Sequence, residues 1–321
     1  MTGTLAALAG RAYGGVWEAR RRAYAAGLLR PHRVPARVVS VGNLAVGGTG
    51  KTTLVLSLAR RAREAGIDVA VICRRYRPGV RPGTAGAPRG DEELLYTDAL
   101  GEGHVRAGTS KWRDAHCAAT EGRRLLIVDD GFSHWALARD LDIVLLDAHD
   151  PWAGGALLPA GRLREPRRAL QRADWIVVSH AADVAAAGAA IAAVRPWAPA
   201  ARFAAGRHRL ARVRCLGGQD WVERGAAHVV TATGNPAAVG RSALEAGFAP
   251  VRVSSYRDHH WFRPGEIRRE QEAAAADGAT LVLTAKDAVR WPQADPSAAV
   301  LEVEWEWLIG GDELERQVGG A

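Results

Sequence analysis

The run Val38-Val-Ser-Val-Gly-Asn-Leu-Ala-Val-Gly-Gly-Thr-Gly-Lys-Thr-Thr53 constrains this chain more than any other stretch. Val38 to Val41 is β-branched and apolar, which predicts a buried strand. A glycine-rich loop follows, and Lys51-Thr52 opens an apolar-periodic segment that runs through Arg63. Strand, glycine loop and helix form the context of a phosphate-binding loop. Its glycines let backbone N–H groups turn inward on an anion, and the helix N-terminus adds partial positive charge. The loop therefore predicts a nucleoside triphosphate held by Gly47, Gly48, Thr49, Gly50, Lys51, Thr52 and Thr53, with Lys51 on the β/γ-phosphates and Thr52 on Mg²⁺. Ala45 stands where the usual pattern has glycine, and the competing reading is a plain glycine turn before a helix. Only three lysines occur among 43 basic residues, so a lysine at this point carries weight.

Further apolar runs repeat along the chain. Asp68 to Cys73, Arg123 to Val128, Asp142 to Asp147 and Asp174 to Ser179 read as strands, with helical segments between several of them. That alternation predicts an α/β fold: a P-loop NTPase with a doubly wound, mainly parallel sheet. Ala181 to Ala201 reads as a helix broken near Pro196. Residues 202–224 change character, with arginines and Gly217-Gly218, and read as a connector. A second alternation begins at His228, with strands at Ala249–Ser254 and Thr280–Thr284 and a last edge strand over Ala299–Trp305. The expected organisation is an N-terminal basic helix over 1–37, a P-loop domain over 38–201, the connector over 202–224 and a smaller α/β domain over 225–321.

The strand read over Arg123 to Val128 ends in Asp129-Asp130-Gly131-Phe132. A carboxylate at the carboxyl end of a strand beside a P-loop reaches Mg²⁺ or its water shell. An ordinary strand-ending turn has the same composition, and it is the P-loop upstream that favours the metal role.

Charge is unevenly placed. Residues 1–37 carry seven arginines against one acid, Glu18, and so hold most of the formal +8. No apolar run there nears the roughly 18 residues of a spanning helix. Two readings stay open: a basic amphipathic helix lying on an anionic membrane surface, or a first helix packed on the domain with a solvated arginine face. Basic and aromatic residues are not interleaved elsewhere in a nucleic-acid pattern, so no nucleic acid is expected. Cys73, Cys117 and Cys215 lie far apart with no C-x-x-C pair, which predicts neither a disulfide framework nor a zinc site.

Taken with other runs, these motifs are similar to those of the tetraacyldisaccharide 4′-kinase family, the lipid A 4′-kinases. The matching residues include Ser40-Val-Gly-Asn-Leu44, Gly47-Gly-Thr-Gly-Lys-Thr52, Gly90-Asp-Glu92 and Asp129-Asp-Gly-Phe132 with His134. Leu157-Leu-Pro-Ala-Gly161, Leu163-Arg-Glu-Pro166, Gly234-Asn-Pro236, Asp258-His-His260 and Lys286-Asp-Ala-Val289 continue the set over nearly the whole chain. The resemblance implies a peripheral kinase at the cytoplasmic face of the inner membrane. It would use ATP and Mg²⁺ to phosphorylate the 4′-hydroxyl of a lipid A disaccharide precursor, with no obligate protein partner. It implies Thr52, Asp129, Asp130 and Glu165 at the metal, and Asp91 at the acceptor hydroxyl supported by His259 from the second domain. Arg74, Tyr76, Arg164, Asp258 and His260 fall on its substrate side.

Several positions depart from the family pattern. Arg75 replaces a glycine, Glu93 a proline, Ser133 a glutamine and Ala285 a glutamate, and the usual Gly-Arg-Asp-Arg gives way to residues around Gly108–Arg113. They fall mainly on the substrate side, while the nucleotide core is kept. The rival functions are a GTPase or metallochaperone switch and a non-catalytic, membrane-binding relative. The first needs Asn/Thr-Lys-x-Asp, and Thr284-Ala-Lys-Asp287 has its lysine out of place. Retention of Asp91, Asp129, Asp130, Glu165 and His259 argues against the second.

Overall fold

The apolar runs of the sequence become strands, and the polar-periodic segments between them become helices. The protein is described by a computed structural model over residues 3–76, 88–221, 223–291 and 297–320. In chain order the elements begin with α1 (Gly3–Ala25), β1 (Arg37–Asn43), α2 (Lys51–Glu64), β2 (Val69–Arg74), α3 (Asp91–Leu100), β3 (Val105–Gly108) and α4 (Lys111–Thr120). Next come β4 (Leu125–Asp129), β5 (Leu141–Asp147), β6 (Trp175–Ser179), α5 (Val184–Val194), β7 (Arg202–Cys215) and β8 (Ala226–Thr231). The chain closes with α6 (Pro236–Glu245), β9 (Ala249–Ser255), α7 (Pro264–Ala276), β10 (Thr280–Thr284), α8 (Ala285–Ala288), β11 (Ala298–Ile309) and α9 (Gly311–Gly319). The proline- and glycine-rich stretch read at 78–90 lies largely outside the described residues.

Two units share these elements. The first contains Met1–Arg74, Leu100–Arg207 and Trp305–Ala321; the second contains Arg75–Ala99 and His208–Glu304. In the first, strands run in the order β3-β2-β4-β1-β5-β6-β7. The pairings of β2 with β3 and β4, β1 with β4 and β5, and β6 with β5 and β7 are all parallel. Val39 and Val41 are fully buried, as a parallel sheet covered on both faces requires. α2 packs on it through Leu54, Val55, Leu58, Ala59 and Ala62, one face of a helical period. After β1 the chain first builds outward through β2 and β3, and later places β5 on the other side of β1. The carboxyl end of β1 is thus the switch point of the sheet, where ligands bind in open α/β folds.

α1 packs on this unit by one face. Trp17 sits edge-on to Trp135 with ring centroids 6.2 Å apart, and Glu18 pairs with Arg168 at 3.0 Å. Its other face leaves Leu5, Leu8 and Val16 largely exposed.

In the second unit β7 lies beside β11, followed by β10, β8 and β9, and β10 pairs in parallel with both β11 and β8. Val229, Val239, Phe248, Val282 and Leu301 fill one side of that sheet, and Phe262, Ile267, Leu283 and Trp291 the other.

Three features differ from the sequence reading. The stretch read as a connector holds the fourteen-residue strand β7. Its arginines alternate along the strand and meet glutamates of β11, as Arg209 does Glu304 and Arg212 does Glu302, so charges that look like linker composition are cross-strand pairs. β11 is an inner strand rather than an edge, with Ala298 to Leu301 buried in succession. Finally, α3 carries Asp91 into the second unit, although its place in sequence lies inside the 38–201 stretch.

Candidate active site

Register alone assembles the nucleotide end of the first unit. Val41 of β1 lies opposite Asp129 of β4 and Ile143 of β5, so the glycine loop and the Asp129-Asp130 turn leave the sheet side by side. Gly42 makes this possible: a Cβ there would stand 2.5 Å from that of Phe132 and push the turn away. Gly50, at φ 80°, takes the left-handed conformation that swings the loop into α2. No side chain caps α2, so its first N–H groups are presented to an incoming anion.

A strap holds the first half of the loop. Val46 N–H donates to Arg162 O at 2.8 Å, Arg164 N–H donates to Leu44 O at 2.7 Å, and Ala45 bridges Leu163 antiparallel. Extended backbone at 45 accepts any residue, which explains alanine where the usual pattern has glycine. A hollow of about 410 Å³ opens beside the loop, lined in part by Val46, Gly47, Thr49, Asp147, Asp150 and Arg162. Burial pushes the Asp147 carboxyl up, but hydrogen bonds from His180 and from the His149 backbone bring it down to about 2.

At the other side of the loop, Asp129 is buried and Asp130 adopts φ 49°. A non-glycine residue in that region stores strain, a recurrent mark of functional turns. Lys111, buried at the start of α4, donates to the carbonyls of Asp129 at 2.5 Å and Asp130 at 2.7 Å. Arg164 grips the Asp130 carboxylate at 2.7 and 2.9 Å. Burial raises the Asp130 carboxyl, yet Lys51, Arg164 and Lys111 together hold it below its ordinary range. His134, half-buried and near Lys111 and Arg139, is lowered to about 4.

Glu165 follows Arg164 in the chain. It is almost fully buried and pairs with Arg172, whose guanidinium stacks 4.2 Å from Phe132 and 4.0 Å from Trp135. Among the described residues no three His, Cys, Asp or Glu side chains gather to hold a metal ion. The expected set of Thr52, Asp129, Asp130 and Glu165 is therefore not assembled as one cage. The geometry fits Mg²⁺ in another way, since that ion keeps waters and takes one or two carboxylates plus substrate phosphates. The buried Asp129 beside an uncapped helix start meets that demand.

Asp91 and His259 meet in the second unit. Asp91 opens α3; its Oδ1 accepts Glu92 N–H at 3.1 Å and its Oδ2 accepts His259 Nδ1 at 2.7 Å. Arg290, fully buried, stands 3.8 Å from the same Oδ2 and pairs with Asp287 at 2.7 Å. Burial raises the Asp91 carboxyl, but His259, Lys286 and Arg290 outweigh it and leave it below the usual range. His259 holds φ 61°, and Tyr76 meets its ring edge-on at 6.0 Å.

The remaining substrate-side residues fall in both units. Asp258 is near Lys286 at 3.7 Å, and Arg74 is exposed at the end of β2. His260 instead turns to Glu266 at 2.8 Å and stacks on Tyr256, an arrangement that secures the start of α7. Thr284 caps α8 by accepting Asp287 N–H at 3.1 Å, so Thr284-Ala-Lys-Asp287 serves the backbone, not a guanine base. Lys111 and Arg290 were invisible as site residues in the sequence. Only the rarity of lysine could have marked the first.

Nearly the whole chain is similar to proteins of one known family. A family model described as Tetraacyldisaccharide-1-P 4′-kinase matches residues 3–319. A tetraacyldisaccharide 4′-kinase of Anaeromyxobacter sp. (strain Fw109-5) is 37% identical over 328 residues, covering 94% of this chain and 87% of its own. One from Syntrophobacter fumaroxidans (strain DSM 10017 / MPOB) is 38% identical over 282 residues, covering 82% and 74%. The fold matches a crystal structure of "apo" form LpxK from Aquifex aeolicus in complex with ATP, at a TM-score of 0.72 and 22% identity over 99% of this chain and 98% of that one.

Proposed function

The chain belongs to the tetraacyldisaccharide-1-phosphate 4′-kinase family, and we propose that the residues above perform that family's reaction. ATP donates its γ-phosphoryl group to the 4′-hydroxyl of a tetraacylated disaccharide 1-phosphate, the lipid A precursor. The observation that carries this reading is the register of β1 with β4, which brings the phosphate loop beside the Asp129 turn, with an uncapped helix start and with Lys51 near enough to lower the Asp130 carboxyl. The loop amides of Gly47 to Thr53 and Lys51 bind the phosphates. Thr52 and Asp129 hold Mg²⁺, which when bound neutralises charge between the β- and γ-phosphates. Arg164 and Lys111 fix Asp130 at the edge of that site, and Glu165 supports it from behind through Arg172. Asp91 and His259 form the acid–base pair for the acceptor hydroxyl. Arg74, Tyr76 and Asp258 are left to contact the acceptor.

No helix among the described residues is long and apolar enough to cross a membrane. α1 offers Leu5, Leu8 and Val16 beside its arginines, which fits a peripheral helix on the anionic cytoplasmic face of the inner membrane.

Incubation of the purified protein with ATP, Mg²⁺ and a tetraacylated disaccharide 1-phosphate tests the reading. A 1,4′-bisphosphate is expected from the wild type and none from folded Lys51→Ala. Phosphate on another hydroxyl, or turnover by Lys51→Ala, overturns it.

A further inference from the structure

We propose that Tyr13 is a positioning residue for phosphoryl transfer: its hydroxyl ties α1 to the strap, and through Arg164 it fixes Asp130 at the edge of the phosphate loop. The proposal rests on the 4′-kinase reading and gives α1 a part in the site besides its part at a membrane.

Three groups of one residue carry the first argument. Arg164 N–H donates to Leu44 O at 2.7 Å, at the entry to the loop. Its carbonyl accepts the Tyr13 hydroxyl at 2.9 Å, from 151 positions away in the chain. Its guanidinium holds the Asp130 carboxylate at 2.7 and 2.9 Å. A main chain pinned at both its N–H and its carbonyl gives the side chain that leaves it a fixed direction. That direction is toward the turn beside the phosphate loop.

Packing of α1 is the second argument. Gly10, Tyr13, Gly14 and Trp17 follow one another at i, i+3, i+4 and i+7, one face of the helix. A Cβ added at Gly14 would stand 3.0 Å from Leu157 Cδ1, and one at Gly10 would stand 3.4 Å from Leu157 O and Ala160 Cβ. Leu157 in turn bridges Leu163 of the strap. Trp17 shares a core with Leu44, Phe132 and Leu163, which lie at the loop entry, after the Asp129-Asp130 turn and on the strap. So close an approach holds α1 in register, and the Tyr13 hydroxyl meets Arg164 O from a set position. Leu5, Leu8 and Val16 stay largely exposed, so the contact does not compete with a membrane for them.

The bond gives direction more than stability. Tyr13 is 38% exposed, so in Tyr13→Phe water takes its place on the Arg164 carbonyl and the fold loses little. The Arg164 main chain is then freer to turn. Burial raises the Asp130 carboxyl and Lys51, Arg164 and Lys111 hold it down, so a turning Arg164 loosens one of three cations around that group. Small misplacements of this kind reach the rate, because phosphoryl transfer depends on alignment.

The test is steady-state turnover of the full chain with ATP, Mg²⁺ and a tetraacylated disaccharide 1-phosphate, for the wild type, Tyr13→Phe, Arg164→Met and the double variant. Tyr13→Phe should keep its melting temperature within a degree or so. Its kcat should fall by about two- to tenfold, the rate equivalent of one hydrogen bond, with KM for the acceptor unchanged. In the Arg164→Met background the same substitution should cost nothing further, because its route to Asp130 is already gone. Amide exchange at Val46 and Arg164 should quicken in Tyr13→Phe, while exchange at Trp17 stays as in the wild type. Gly14→Leu, which favours the helix but wedges α1 away from Leu157, should reproduce the loss of kcat. A raised acceptor KM with kcat intact would make Tyr13 a substrate contact, and multiplicative losses with Arg164→Met would make it independent of Arg164. Either result overturns the proposal, as does wild-type kcat in Tyr13→Phe, and all three leave the kinase reading standing. A wild type that forms no bisphosphate removes the kinase reading and this proposal with it.

Discussion

Arg75 and Glu93 form a two-pronged ion pair, with guanidinium nitrogens 2.7 and 3.0 Å from the two carboxylate oxygens. Both positions depart from the family pattern, which has glycine at the first and proline at the second. The pairing has a physical reason: Glu93 is nearly buried at the first turn of α3, and a carboxylate there needs a cation.

A double-mutant cycle reads that relationship directly. Arg75→Ala should destabilise the fold more than an exposed arginine would, since among the described residues it leaves Glu93 with the more distant Arg89 at 3.8 Å. Coupling between Arg75→Ala and Glu93→Ala should be about 0.5–3 kcal/mol in urea unfolding. Strictly additive losses would show that the pair is incidental.

Lys111 should behave as a positioning residue for the Asp129-Asp130 turn. Lys111→Met leaves two main-chain carbonyls without their donor, at a cost of about 1–3 kcal/mol each if they stay buried. Affinity for Mn²⁺ in the presence of a non-hydrolysable ATP analogue should fall, and amide exchange at Gly131 should quicken. Lys111→Arg should recover part of both. Unaltered metal affinity in Lys111→Met would remove the residue from the site.

Glu165 is expected to act through Arg172, not as a ligand. Glu165→Ala strands a largely buried guanidinium, and breaking such a pair costs about 3–5 kcal/mol. The lost activity should follow the lost stability and should not return with excess Mg²⁺. Restoration by Mg²⁺ alone would place Glu165 at the metal.

The exposed face of α1 supplies a further prediction. Leu8→Glu with Val16→Glu, at side chains 55% and 70% exposed, should abolish binding to vesicles containing anionic lipid and leave the melting temperature within a degree or so. Replacement of Arg20, Arg21 and Arg22 by glutamate should weaken the same binding, and wild-type binding should decline with salt. Unchanged, salt-insensitive binding would reduce α1 to a packing element.

By itself the sequence determined the strands around β1, the phosphate loop, the helix that Lys51 opens and the turn after β4. Each is written within a few neighbouring residues, as β-branched runs, glycines at a tight turn, or acids ending a strand, and local sterics suffice to read them. Family resemblance added Asp91 and His259, although 168 positions separate them. Tertiary structure alone decided the rest: that Lys111 lies beneath Asp129 and Asp130, that Glu165 faces Arg172 and the aromatic wall, and that α3 joins the second unit. It also decided that the stretch after Ala201 is a strand, because alternating arginines become a pattern only when the glutamates of β11 lie opposite. Burial and pairing depend on what the folded chain brings close, and a charged residue carries the same letter whether it is solvated or enclosed. The same holds for Asp91 and His259, whose side chains the fold left 3% and 28% exposed.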